Sequence, residues 1–176
     1  CQGSGGVQIV FNGQVILGTR ARKTCTKSFQ AFSSVNHPDL AVLRDGTLLQ
    51  YIRCESLERP VFYDRLDPHV GLLKLIPGVE DELAAFMLER YDGLIIESFG
   101  VGGLPDYEGG RLDAILRGAV ARGKIVVMTT QVPNEGSDLT VYHVGGRLKS
   151  SMNLLEAYDM TTEAAVAKLM WILGQT

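Results

Sequence analysis

The spacing of apolar positions changes character near residue 70. Before it, apolar residues come in short β-rich runs. Val7-Gln8-Ile9-Val10-Phe11 and Gln14-Val15-Ile16-Leu17 flank Asn12-Gly13, a pair that readily takes positive φ at both positions of a tight turn, so the chain opens with a β-hairpin. Asp45-Gly46 sits in the same way between Leu40-Ala41-Val42-Leu43 and Thr47-Leu48-Leu49-Gln50-Tyr51-Ile52 and predicts a second hairpin. Residues 18–39 have no sustained period and read as an irregular crossing segment.

After residue 70 strands alternate with helices. Leu72–Ile76 is a short buried-strand run, and a helix is expected over Glu80–Tyr91. Glu80 and Asp81 complement its N-terminal dipole, Arg90 complements its C-terminal end, and Gly93 is expected to stop it. Leu94-Ile95-Ile96 is the next strand. Leu112, Ile115, Leu116, Ala119 and Val120 then form one helical stripe that ends at Gly123. Lys124–Met128 and Asn153–Ala157 read as two further strands, and Thr161 caps a last helix that has Glu163 in its first turn. Apolar strands joined by helical crossovers define an α/β fold, a small doubly wound parallel sheet, here preceded by a β-hairpin segment.

Composition narrows the function. With 176 residues, 45% of them hydrophobic and 21% charged, the chain has the makeup of a globular protein long enough for one compact core, or for one domain plus an appendage. A net charge of -3 without a basic cluster argues against a nucleic-acid partner, and no apolar run approaches the ~20 residues of a membrane span. The run Cys1–Gly6 has neither the charged flank nor the apolar run of a leader, and a start without methionine reads as a cut chain. Cys1, Cys25 and Cys54 are odd in number and lack metal-ligand spacing, which suits reduced thiols in the cytoplasm. Asp64, Asp67 and His69 are close in sequence, but Pro68 and the irregular context speak against a metal site, so none is expected.

Two stretches carry chemistry. Arg20-x-x-Lys23-x-x-Thr26 is followed by Phe29-Gln30-Ala31-Phe32 and Ser34-Val35-Asn36-His37-Pro38, and in the second half Gly100-Val101-Gly102-Gly103-Leu104-Pro105 links a strand to a helix. The glycine run stands where open α/β sheets commonly bind ligands. It is no dinucleotide fingerprint, because Pro105 replaces the third glycine of Gly-x-Gly-x-x-Gly.

In this order and spacing, these motifs and the tail from Met128 to Gly174 resemble the asparaginase family, specifically bacterial type I-like L-asparaginases, over essentially the whole chain. The resemblance implies that residues 1–36 end an N-terminal domain, 37–69 form a linker with a second hairpin, and 70–176 are a C-terminal α/β domain. It implies hydrolysis of L-asparagine to L-aspartate and ammonia with no cofactor. It gives Lys23 the catalytic role of helping to take the proton from a threonine hydroxyl that attacks the carboxamide. A desolvated amine suits that role; the plainer reading of Lys23 is a surface cation among Arg20, Arg22 and Lys27.

The family's nucleophiles lie in Thr-Gly-Gly-Thr and Gly-Thr-Asp-Thr segments, and neither string occurs here. The adjacent Thr129 and Thr130 match neither. The chain alone is therefore expected to be inactive, with a missing N-terminal half as its partner. Gly102 and Gly103 are implied to approach the substrate in a neighbouring subunit of a homo-oligomer, or else to serve backbone geometry alone. Tyr142 either orients that substrate or packs. Glu97 and Val132 stand where some relatives use an arginine and a cysteine to bind an activating asparagine, so that regulation is not expected. A non-catalytic α/β ligand-binding or dimerisation module is the alternative reading.

Overall fold

The computed structural model describes residues 5–56, 59, 61–105, 111–141, 152 and 154–175. The chain forms two compact units, residues 1–64 and 65–176.

In the first unit, β1 (Gln8–Phe11), β2 (Gln14–Leu17), β5 (Ala41–Arg44) and β6 (Thr47–Gln50) form an antiparallel sheet in the order β1-β2-β5-β6. Both expected hairpins are present. Asn12 and Asp45 take φ of 47° and 49°, and each following glycine 75°, the positive pair that a two-residue hairpin turn demands. The crossing segment, in contrast, is ordered. A 3-10 turn at Gly18–Arg20 leads into β3 (Ala21–Lys23), which pairs antiparallel with β4 (Phe32–Ser34).

The second unit carries a four-stranded parallel sheet in the order β10-β9-β8-β7. Its strands are β7 (Val70–Lys74), β8 (Gly93–Ser98), β9 (Ile125–Thr130) and β10 (Leu155–Glu156), and its helices are α1 (Asp81–Arg90), α2 (Leu112–Ala121) and α3 (Thr162–Leu173). The strand pleat sends alternate residues to opposite faces. Leu94, Ile96, Val126 and Met128 therefore meet Ala84 and Leu88 of α1 and Leu116 and Ala119 of α2 on one face. Ile95 and Val127 meet Ala165 and Leu169 of α3 on the other. Burial on both faces goes with the apolar runs of the two central strands, β8 and β9.

The helix caps follow the sequence. The Thr161 hydroxyl accepts a hydrogen bond from the Ala164 amide at 3.1 Å, and Glu163 lies in the first turn of α3. Gly93 is different, because α1 ends at Arg90 and Gly93 opens β8. A Cβ there would stand 2.7 Å from a methyl carbon of Leu169, so the glycine lets α3 approach the sheet rather than terminating a helix.

Candidate active site

Lys23 is the last residue of β3 and is paired in register with Phe32. Its ammonium lies 5.9 Å from the centroid of the Phe32 ring, within cation–π range. Phe32 in turn meets Phe11 edge-on at 5.4 Å, and Phe11 meets Phe29 at 5.2 Å. These aromatics give β3 and β4 an apolar backing, and the Thr24 and Ser33 hydroxyls are hydrogen-bonded at 3.0 Å beside it. The amine itself is exposed. The first unit alone does not provide the desolvation that a proton-accepting lysine needs.

The glycine loop belongs to the second unit, at the carboxyl ends of the parallel strands. The Gly103 amide donates to the Phe99 carbonyl at 2.7 Å and the Phe99 amide returns a bond to the Gly103 carbonyl at 3.0 Å, closing a tight bridge. The Gly102 amide donates to the same Phe99 oxygen at 3.0 Å. Gly102 has φ of 147°, and a Cβ on it would lie 3.0 Å from a methyl carbon of Leu139, so both conformation and space favour glycine. Gly102 is buried and Gly103 half-buried.

Two neighbouring segments hold this loop. The Thr130 hydroxyl donates to the Gly100 carbonyl and accepts from the Val132 amide at 3.0 Å. The Asp138 amide donates to the Val101 carbonyl at 2.6 Å, and the Leu139 amide donates to the Glu156 carboxylate at 2.7 Å. The Gln131 carboxamide spans the strand ends, donating to the Leu75 carbonyl at 2.6 Å and the Glu97 carbonyl at 3.1 Å. From the sequence, Thr130 is only one of two adjacent threonines that match neither nucleophile segment, and Gln131 carries no motif. Their one visible signal was a run of polar residues just after an apolar strand.

Glu97 is buried and engaged. Its carboxylate accepts from the Thr162 hydroxyl at 2.7 Å, with the Lys74 ammonium 3.9 Å from its other oxygen. Glu97 and Thr162 line a mostly apolar cavity of about 390 Å³ beside α3. The Thr129 hydroxyl is buried without a hydrogen-bond partner among the described residues. Tyr142 lies outside the described residues.

Among the described residues, Asp67, His69 and Asp92 bring three potential metal-ligand atoms within 4.8 Å of one another. Each carboxylate already has a partner. Asp67 Oδ1 accepts from the His69 backbone amide at 2.8 Å and lies 2.8 Å from ring Nδ1, while the Lys124 ammonium donates to Asp92 at 2.9 Å. These side chains form an Asp67–His69 hydrogen-bonded pair and a separate Lys124–Asp92 ion pair at the amino ends of the strands. The His69 amide, and after it the His69 ring, hold the Asp67 carboxyl below its ordinary value. A lowered folded-state pKa stabilises the fold at neutral pH, and that contribution is lost as pH falls through the lowered value. Because the His69 backbone amide is the stronger single cause and survives the substitution, His69→Ala should leave part of the depression in place. A carboxyl-detected titration of Asp67 checks this, and a return to the ordinary range in His69→Ala would contradict it.

Among the described residues no helix is long and apolar enough to cross a membrane. Residues 69–176, which hold the parallel sheet and its glycine-rich loop, match the glutaminase/asparaginase C-terminal domain, and residues 2–53 match the asparaginase N-terminal domain. The chain belongs to the asparaginase family. It is 38% identical to an L-asparaginase of Thermococcus kodakarensis over 99% of this chain and 53% of that protein. The solved thermostable L-asparaginase of that organism has a TM-score of 0.89 and 37% identity over 97% of this chain and 52% of its own. L-asparaginase I of Vibrio cholerae has a TM-score of 0.82 and 30% identity over 97% of this chain and 51% of its own. One of the proteins that make up the glutamyl-tRNA(Gln) amidotransferase of Thermococcus kodakarensis is 34% identical over 90% of this chain and 36% of that protein. The chain thus spans about half the length of these L-asparaginases.

Proposed function

We propose that this chain is the second half of a cytoplasmic L-asparaginase of the bacterial type I-like kind, which hydrolyses L-asparagine to L-aspartate and ammonia. The observation that carries this reading is the match to both asparaginase domains in chain order, together with Lys23 inside Arg20-x-x-Lys23-x-x-Thr26. On this reading residues 1–36 close the N-terminal domain, 37–69 link, and 70–176 form the C-terminal domain.

The preceding half supplies a threonine whose Oγ attacks the carboxamide carbon. Lys23 helps to take the hydroxyl proton, which then passes to the departing nitrogen as the C–N bond breaks and ammonia leaves. Water cleaves the acyl-threonine ester and releases aspartate. The exposed amine of the isolated chain must be desolvated for this work. Exposed Val10, Phe29, Leu48 and Leu49 on the first unit offer apolar surface for the preceding half to cover. The family resemblance assigns Gly102, Gly103 and Tyr142 to the substrate of a neighbouring copy in a homo-oligomer formed through the C-terminal domain. Free Cys25 and Cys54 fit a reducing compartment.

The longer protein should release ammonia from free L-asparagine in a coupled assay, with L-glutamine run in parallel to read its preference. No release from either amide would overturn the reading. The absence of both threonine strings from these 176 residues favours a second one, a non-catalytic ligand-binding or dimerisation module. That reading predicts self-association without ammonia.

A further inference from the structure

We propose that Thr130 is a positioning residue for amide hydrolysis, latching the Gly100–Gly103 loop so that it presents a fixed backbone to the substrate. This inference rests on the asparaginase reading given above. Gly100 and Gly102 have φ of 49° and 147°, and neither carries a side chain that could anchor the loop. The Phe99–Gly103 bridge closes the loop on itself, and its remaining anchors come from neighbouring segments. On the Val101 side the anchor is the Asp138 amide, on a segment tied in turn to Glu156 through Leu139. At Gly100 it is the Thr130 hydroxyl, which donates to the Gly100 carbonyl.

Thr130 is well placed for this. It ends β9 and pairs in register with Ser98, so its backbone is fixed to the strand from which the loop departs. Its side chain is buried, and the hydroxyl is used in both directions, with the Val132 amide donating to it at 3.0 Å. A threonine is needed for hydrogen bonding here; an isosteric valine would leave Gly100 O and Val132 N–H without that partner. A buried residue required only for packing would accept valine with little effect.

The test uses the longer protein that carries this segment, with Thr130→Val and Thr130→Ser. Losing one buried hydrogen-bonded anchor is worth about tenfold in a local equilibrium. Thr130→Val is therefore expected to speed hydrogen exchange of the Gly102 and Gly103 amides about tenfold. It should also raise KM for asparagine about tenfold, with kcat changed much less. Thr130→Ser, which keeps the hydroxyl, should restore both. If Thr130→Val does not fold, Thr130→Ala removes the same bonds without crowding.

Unchanged exchange in the valine and alanine variants would overturn the latch. Faster exchange with unchanged kinetics would overturn its role in substrate positioning while leaving the asparaginase reading intact. A wild-type protein that releases no ammonia would sink the asparaginase reading itself, and the proposal with it.

Discussion

Lys23→Met in the longer protein should lower ammonia release from asparagine by roughly 10²- to 10⁴-fold, the range that a positioned proton acceptor supplies. Methionine keeps the length and apolar stem of lysine beside Phe32 and removes only the amine. The magnitudes separate catalysis from structure. An exposed cation–π contact is worth about 0.5–1 kcal/mol, so its loss accounts for less than tenfold even if all of it appeared in the barrier. A loss of two or more orders of magnitude has to come from chemistry. Steady-state kinetics with a thermal-unfolding control decide the matter, and turnover within about threefold of wild type would remove Lys23 from the mechanism.

Leu116→Ala should destabilise the second unit by about 3 kcal/mol, a large share of the ~5–15 kcal/mol that holds a typical domain. Leu116 is fully buried on α2 in the cluster formed with Leu94, Ile96, Val126 and Met128. The strands on its other side are fixed by parallel pairing along β7, β8 and β9, so the space vacated by the side chain cannot collapse freely. Urea unfolding measures the change. A loss below about 1 kcal/mol would mean that the sheet and α2 are not packed as described.

Parts of this architecture were legible in the sequence because local chemistry and tertiary structure agree there. Asn12-Gly13 and Asp45-Gly46 demand the positive φ they adopt, the stripe from Leu112 to Val120 fits one helical period, and Thr161 caps as its hydroxyl suggests. Other parts depend on contacts that no local pattern encodes. β3 and β4 are three residues each, rich in Arg, Lys and Ser, and exist because Ala21 pairs with Ser34 and Lys23 with Phe32. β10 contains only Leu155 and Glu156 and is defined by its pairing to Val127 and Met128. Gly93 resembled a helix stop, yet its reason is Leu169 on a helix more than seventy residues away.

The site divides in the same way. Lys23 stood out only through its family motif, since lysine among Arg20, Arg22 and Lys27 otherwise reads as a solvated face. Its exposure and its place over Phe32 follow from the β3–β4 pairing, which the sequence concealed. The glycine loop was visible as a loop at a strand end. What holds it, the Thr130 hydroxyl and the Asp138 amide, comes from segments about thirty residues further on, at distances only folding can set.

The most direct measurement of the central claim is ammonia formed from L-asparagine by the 176-residue chain, before and after a separately made N-terminal half with both threonine segments is added. The expected result is no release from the chain alone and sustained release from the mixture. Turnover by the chain alone, or none from a mixture that elutes as a single complex, would contradict it.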